Sequence, residues 1–178
     1  MPTTGDYLVI GAAAAIITFA VTPIAIAMAR RLGWVYEPNE RTVHTRPIPD
    51  VGGVAMFAGF VIALAASRLW DDFDQLFARN DEPRGVLIAA VIMFAVGLLD
   101  DVREISAPAK VVGKVLAGSA LVWFGVTMRY FRLPFLEVTF LSDDWVPIIT
   151  VLWILGLSQA INLIDGLDGL AAGIVAIG

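Results

Sequence analysis

Between Tyr7 and Ala29 the chain runs 23 residues without a charged side chain. A helix rises 1.5 Å per residue, so a block of this length can cross about 30 Å of hydrocarbon. Four more apolar blocks follow, at 51–67, 85–99, 115–128 and 145–163, and a sixth starts near Leu170. The apolar residues come in blocks rather than alternating. The expected fold is therefore all-α, a polytopic membrane helical bundle with five spans and the start of a sixth in one embedded domain. Composition agrees. The chain is 58% hydrophobic and 16% charged, with a mean hydropathy of +0.80, whereas soluble domains run near half apolar and about a quarter charged. The third and fourth blocks are short, since 15 residues make only about 22 Å of helix. Arg84 and Asp100 bracket the third block and could reach the interfaces across a thinned bilayer.

The first block is read as a retained span. Met1 to Asp6 holds no Lys or Arg, and positive charge follows the block at Arg30 and Arg31, so the N-terminus is expected outside. Tyr7, Trp34, Tyr36, Trp70, Tyr130 and Trp145 fall near block ends, where amphipathic rings prefer the headgroup zone. Each pair of crossings returns the chain to the same side, so residues 30–50, 100–110 and the stretch from 162 share one face. That face, with Lys114 just beyond it, holds seven of the twelve Lys and Arg residues, a positive-inside bias that assigns it to the cytoplasm. The acidic 71–82 segment is then an external, solvated connection. Net charge is −5 with no basic stripe, so nucleic acid is not an expected partner. There is no cysteine, which excludes disulfides and thiolate metal sites.

Parity brings two acidic motifs together. NLIDGLDGLAAG, residues 162–173, ends the fifth span in Asn162, Asp165 and Asp168; GLLDDVRE, residues 97–104, ends the third in Asp100 and Asp101. Carboxylates beside hydrocarbon are costly unless hydrated, paired or bound to a cation. On a continuous helix, 162, 165 and 168 would lie within an arc of about 120°. Mg²⁺ (or Mn²⁺) suits such a cluster, because it takes one or two carboxylates and completes its shell with water and substrate phosphates. Lys110 and Lys114, about one turn apart, could hold a second phosphate as point charges. A lone Asp at a span end would more often be a headgroup anchor. Two such clusters with lysines beside them favour phosphate chemistry. The first loop adds His44, Arg41 and Arg46. His44 could contact substrate, and Arg41 and Arg46 could bind a nucleotide or lipid phosphate, although a lone loop histidine is usually a surface residue and interfacial arginines often only fix topology.

Three stretches, RTVHTRPIPDVGGVAMF, GLLDDVREISAPAKVVGK and NLIDGLDGLAAG, together resemble the polyprenyl-phosphate N-acetylhexosamine-1-phosphate transferases. The likeness leans to the GlcNAc-1-phosphate branch and includes the related phospho-MurNAc-pentapeptide translocases. The resemblance implies transfer of a sugar 1-phosphate from a UDP-N-acetylhexosamine to a polyprenyl phosphate with Mg²⁺, releasing UMP. It implies that Asp100 and Asp101 are the Asp pair of metal binding or lipid-phosphate activation. Lys110 matches the lysine that follows that pair, and Asn162, Asp165 and Asp168 match the nucleotide-sugar motif. A homodimer is left open. Asp50 stands where a basic residue is usual, and Lys114 where glutamine is common. The resemblance also implies further spans, a later metal-ligating aspartate and a histidine-bearing loop, so the chain is expected to be an N-terminal portion, unable alone to complete the site.

Other readings are open to these residues. A CDP-alcohol phosphotransferase needs Asp-Gly-x-x-Ala-Arg, but Gly173 takes the arginine's place after Asp168-Gly-Leu-Ala-Ala172. A transporter would carry charge at mid-span, where this chain has none. A non-catalytic membrane scaffold stays open for the fragment.

Overall fold

The computed structural model describes residues 2–36, 48–49, 51–79, 81–103, 105–132, 138–165 and 169–177. Six of its helices bear on the architecture: α1 (Thr4–Leu32), α2 (Gly52–Ser67), α4 (Glu82–Arg103), α5 (Ala107–Trp123), α6 (Trp145–Ile164) and α7 (Leu170–Ile177). A 3-10 turn at Asp71–Phe73 and the short α3 (Asp74–Arg79) join α2 to α4. Two small antiparallel pairs close loops, β1 (Val35–Tyr36) with β2 (Ile48–Pro49), and β3 (Tyr130–Arg132) with β4 (Val138–Phe140).

Local chemistry sets the helix ends. Thr3 and Asp6 form a reciprocal capping box at the start of α1. Gly33 stops that helix in the left-handed region at φ 73°, which a glycine adopts without a Cβ penalty. α4 begins at Glu82, with Pro83 in its first turn and the Asp81 carbonyl accepting from Gly85 N–H. α5 begins after Ser106, again with a proline in the first turn. Both starts lie ahead of the apolar blocks at 85–99 and 115–128. α4 is consequently 22 residues long, while the stretch 124–128, expected inside the fourth span, lies beyond the end of α5. The 71–82 segment is more than a solvated connection, because Phe73 is buried there edge-on to Tyr7.

By length and composition, α1, α4 and α6 can each cross a membrane, and α2 turns through 90° into the segment that follows it. α2 and α5 have 16 and 17 residues, about 24–26 Å of helix. The surfaces of α1, α4 and α6 are apolar and mostly open, with Phe19 on α1 82% exposed. Such side chains suit a lipid solvent.

Consecutive helices pack antiparallel. Ala25 and Ala29 of α1 bury themselves against Val51 and Ala55 at the start of α2, whereas Tyr7 meets Phe73 beyond the other end. Phe57 of α2 stacks on Phe94 of α4 with centroids 4.2 Å apart. Between α4 and α5, Gly113 lies against Val96 and Gly85 against Phe124. Between α5 and α6, Gly118 lies against Val151, and Met128 N–H donates to Thr150 Oγ1 at 2.9 Å. The small residues are where backbones approach, as expected for helices in lipid, which lack a hydrophobic drive towards one another.

Gly59 marks the tightest such approach to a backbone. A Cβ there would stand 2.8 Å from the Ala14 carbonyl oxygen and clash with the Thr18 hydroxyl. Gly59→Val is expected to cost about 1–3 kcal/mol by overpacking. Gly11→Ala, at an exposed position of α1 with no atom within 4 Å of the new methyl, should hold or slightly raise stability, since glycine in a helix costs about 0.5–1 kcal/mol relative to alanine. Thermal unfolding in detergent would check this; equal midpoints for the two variants would remove the proposed contact.

Candidate active site

The alternation of directions gathers five helix termini at one end of the bundle: the end of α1, the start of α2, the end of α4, the start of α5 and the end of α6. Asp100 and Asp101 lie in the last turn of α4, Lys110 and Lys114 in the first two turns of α5, and Asn162 in the last turn of α6. The two acidic motifs thus share an end, as parity expects.

α5 stands between its neighbours at this end, and its two lysines turn opposite ways. Lys110 Nζ pairs with Asp100 Oδ1 at 2.7 Å across to α4. Lys114 Nζ donates to Gln159 Oε1 at 2.7 Å across to α6. They are one turn apart as expected, and each engages a different neighbouring helix. Gln159 was not among the residues expected at the site. Its signal is a single amide in the apolar run before Asn162, one turn earlier on the same face.

The acidic end of α6 differs from a continuous helix. α6 stops at Ile164, and Asp165 caps it at φ −81° and ψ 60° with its N–H bonded to the Ile161 carbonyl. Gly169 then takes φ 76° before α7 begins. Of the three positions expected on one arc, α6 therefore carries only Asn162, with Asp165 as its cap. Asp165 leaves the helix axis, and its side chain is exposed. Asp168, together with His44 and Arg46 of the first loop, lies outside the described residues, as do Arg41 and Asp50. The β1–β2 pairing ties the flanks of that loop at this same end of the bundle.

Electrostatics explain why cations belong here. The C-terminus of a helix carries a partial negative charge, and a carboxylate in the last turn adds to it at a cost of about 0.3–1 kcal/mol. Asp100 and Asp101 on α4 and Asp165 on α6 all sit at such ends. Lys110 answers Asp100, and Arg103 adds charge of the favourable sign to the last turn of α4. Carboxylate oxygens are the donors a hard cation takes. Among the described residues no three His, Asp or Glu side chains converge on one point. Asp100 and Asp101 thus supply two adjacent carboxylates, a donor set that suits a hard cation completing its shell with other ligands.

Comparison with known proteins adds a family. Residues 84–178 match the one described as glycosyl transferase family 4. A probable undecaprenyl-phosphate N-acetylglucosaminyl 1-phosphate transferase of Bacillus subtilis is 37% identical over 158 residues, covering 89% of this chain and 42% of that protein. A decaprenyl-phosphate N-acetylglucosaminephosphotransferase of Mycobacterium tuberculosis is 36% identical over 171 residues, covering 95% of this chain and 42% of its own length. A phospho-N-acetylmuramoyl-pentapeptide-transferase of Chlorobium chlorochromatii is 30% identical, covering 97% of this chain and 51% of its own. The chain therefore spans less than half the length of the first two of these relatives. No solved structure matches it significantly.

The Asp100–Lys110 pair is part exposed, 28% and 40% at the side chains, so its coupling should be modest. A double-mutant cycle with Asp100→Asn and Lys110→Met should give about 0.2–1 kcal/mol, falling as salt is raised. Unfolding measured with and without added NaCl would check it; zero coupling at low salt would mean that the pair does not join α4 to α5.

Proposed function

The chain belongs to glycosyl transferase family 4, and from that membership we propose that the whole protein transfers an N-acetylhexosamine 1-phosphate, GlcNAc 1-phosphate first, from a UDP-sugar to undecaprenyl or another polyprenyl phosphate. The reaction releases UMP and leaves a lipid-linked diphosphate sugar. The observation that carries this reading is the meeting of Asp100, Lys110, Lys114 and Asn162 at one end of an apolar bundle. A prenyl phosphate needs its chain in hydrocarbon and its phosphate at the boundary with water, which is where these groups lie.

The chemistry balances as a displacement at phosphorus. An oxygen of the lipid phosphate forms a bond to the sugar-bearing phosphorus of the UDP-sugar, the bond from that phosphorus to UMP breaks, and UMP leaves with the electron pair. Catalysis here is mainly positioning and neutralisation of charge. Asp100 and Asp101 would hold Mg²⁺ (or Mn²⁺), and either carboxylate can take the remaining proton of the lipid phosphate. Bound there, the ion would supply positive charge to the diphosphate oxygens. Lys110 orients Asp100 through their ion pair. Lys114, Asn162, Asp165 and Asp168 would form the nucleotide-sugar side, and His44 and Arg46 would contact phosphates.

UDP-sugars are cytosolic, so this end faces the cytoplasm of the inner membrane and the N-terminus of α1 lies outside. The absence of cysteine from these residues gives a clean background for labelling. A cysteine at Ser106 should react with a membrane-impermeant maleimide only after the cells are opened, and one at Asp143 in intact spheroplasts. The reverse pattern would invert the proposed topology. For activity, the whole protein in nanodiscs should release UMP from UDP-GlcNAc and undecaprenyl phosphate, and Asp100→Asn and Asp101→Asn should each slow it by about 10²-fold or more. Undiminished turnover in both variants would remove the Asp pair from the mechanism.

A further inference from the structure

Lys110 and Lys114 occupy equivalent positions one turn apart on α5, but their partners differ in charge. Asp100 neutralises Lys110, whereas Lys114 is held by the neutral amide oxygen of Gln159. An amide acceptor takes one of the three ammonium N–H groups and leaves the positive charge and two donors. We infer that Gln159 is a positioning residue that holds the Lys114 ammonium between α5 and α6 with its charge intact, making a seat for a diphosphate oxygen. The inference rests on the nucleotide-sugar reading above and adds to it the device that keeps one lysine available.

Three features carry it. Lys114 is only part exposed, so a long flexible side chain is already confined before any ligand arrives, and less ordering remains to be done on binding. Among the described residues, its hydrogen-bond partner is uncharged. Asn162 follows Gln159 by three residues on the same face of α6, so its amide can donate beside the ammonium. Asp100, Asp101 and Asp165 stand at the same end of the bundle, where they favour an anion that comes with a cation over a bare one. The ligand chemistry that suits the seat is therefore a diphosphate that arrives with a divalent cation.

The test exploits a conflict between holding Lys114 and keeping it charged. Gln159→Glu preserves the acceptor and its size but turns the contact into an ion pair; Gln159→Leu removes the acceptor and adds no charge. With the whole protein in detergent, binding of magnesium pyrophosphate is measured by calorimetry, the thermal midpoint is recorded, and KM and kcat are followed by UMP release. Gln159→Glu should match or exceed the wild-type midpoint, weaken pyrophosphate by about tenfold or more, and raise KM far more than it lowers kcat. Gln159→Leu should lose less affinity than Gln159→Glu, and on a Lys114→Gln background the Glu substitution should have no further effect on KM.

A purely structural contact gives the opposite order, with Leu worse than Glu, and that order overturns the inference. So do a Gln159→Glu protein that fails to fold, a wild type that binds no pyrophosphate, or affinities within twofold of wild type. Should pyrophosphate binding behave as expected while the wild type releases no UMP from any UDP-sugar, the seat stands and the transferase reading falls.

Discussion

In hydrocarbon a backbone amide or carbonyl has no water to turn to, so it must be paired inside its own segment. Most of this architecture descends from that requirement. It forces the apolar stretches into helices and makes charge tolerable only where helices emerge. Because lipid tails are as apolar as leucine, helices are held together by close contact, not by expulsion of water. Gly59 on Ala14, Gly113 on Val96 and Gly118 on Val151 supply such contact. The side-chain ties of Lys110 to Asp100 and Lys114 to Gln159 lie at the end that carries the acidic motifs.

The site follows from direction more than from sequence distance. Asp100 and Asn162 are separated by two complete helices, yet antiparallel packing of α4, α5 and α6 returns the chain to the same end. α5 has the central position there, and each of its first two turns is fastened to a different neighbour. That arrangement lets one helix fix the ends of α4 and α6 relative to each other.

Much of this was legible in the residues. Hydropathy alone locates the helices and, through parity, the end that carries the acidic motifs; the three motifs point to the family that the comparisons bear out. Helix starts were less legible, because hydropathy averages over the polar residues that cap. Asp81-Glu-Pro83 and Ser106-Ala-Pro108 are N-terminal signals, and reading them would have placed Lys110 and Lys114 inside α5 instead of ahead of it. Periodicity over 162, 165 and 168 misled for a related reason. It assumes a helix through Gly166 and Gly169, and α6 ends before either. The Lys114–Gln159 bond was out of reach of the sequence, since it depends on which faces of α5 and α6 meet.

The right-angle turn after α2 has a mechanical consequence. α2 turns through 90° into the segment that follows it, and that segment is anchored by Phe73 against Tyr7. In a bilayer, a helix with such a foot cannot slide along the normal without dragging the foot into the lipid or lifting it away. The depth of α2 would thereby be limited at its far end, and its packing on α1 and α4 passes that limit to the end that carries Asp100 and Lys110. Bilayers of different acyl length would then be felt by this bundle as a vertical offset between lipid headgroups and the Asp100–Lys110 pair.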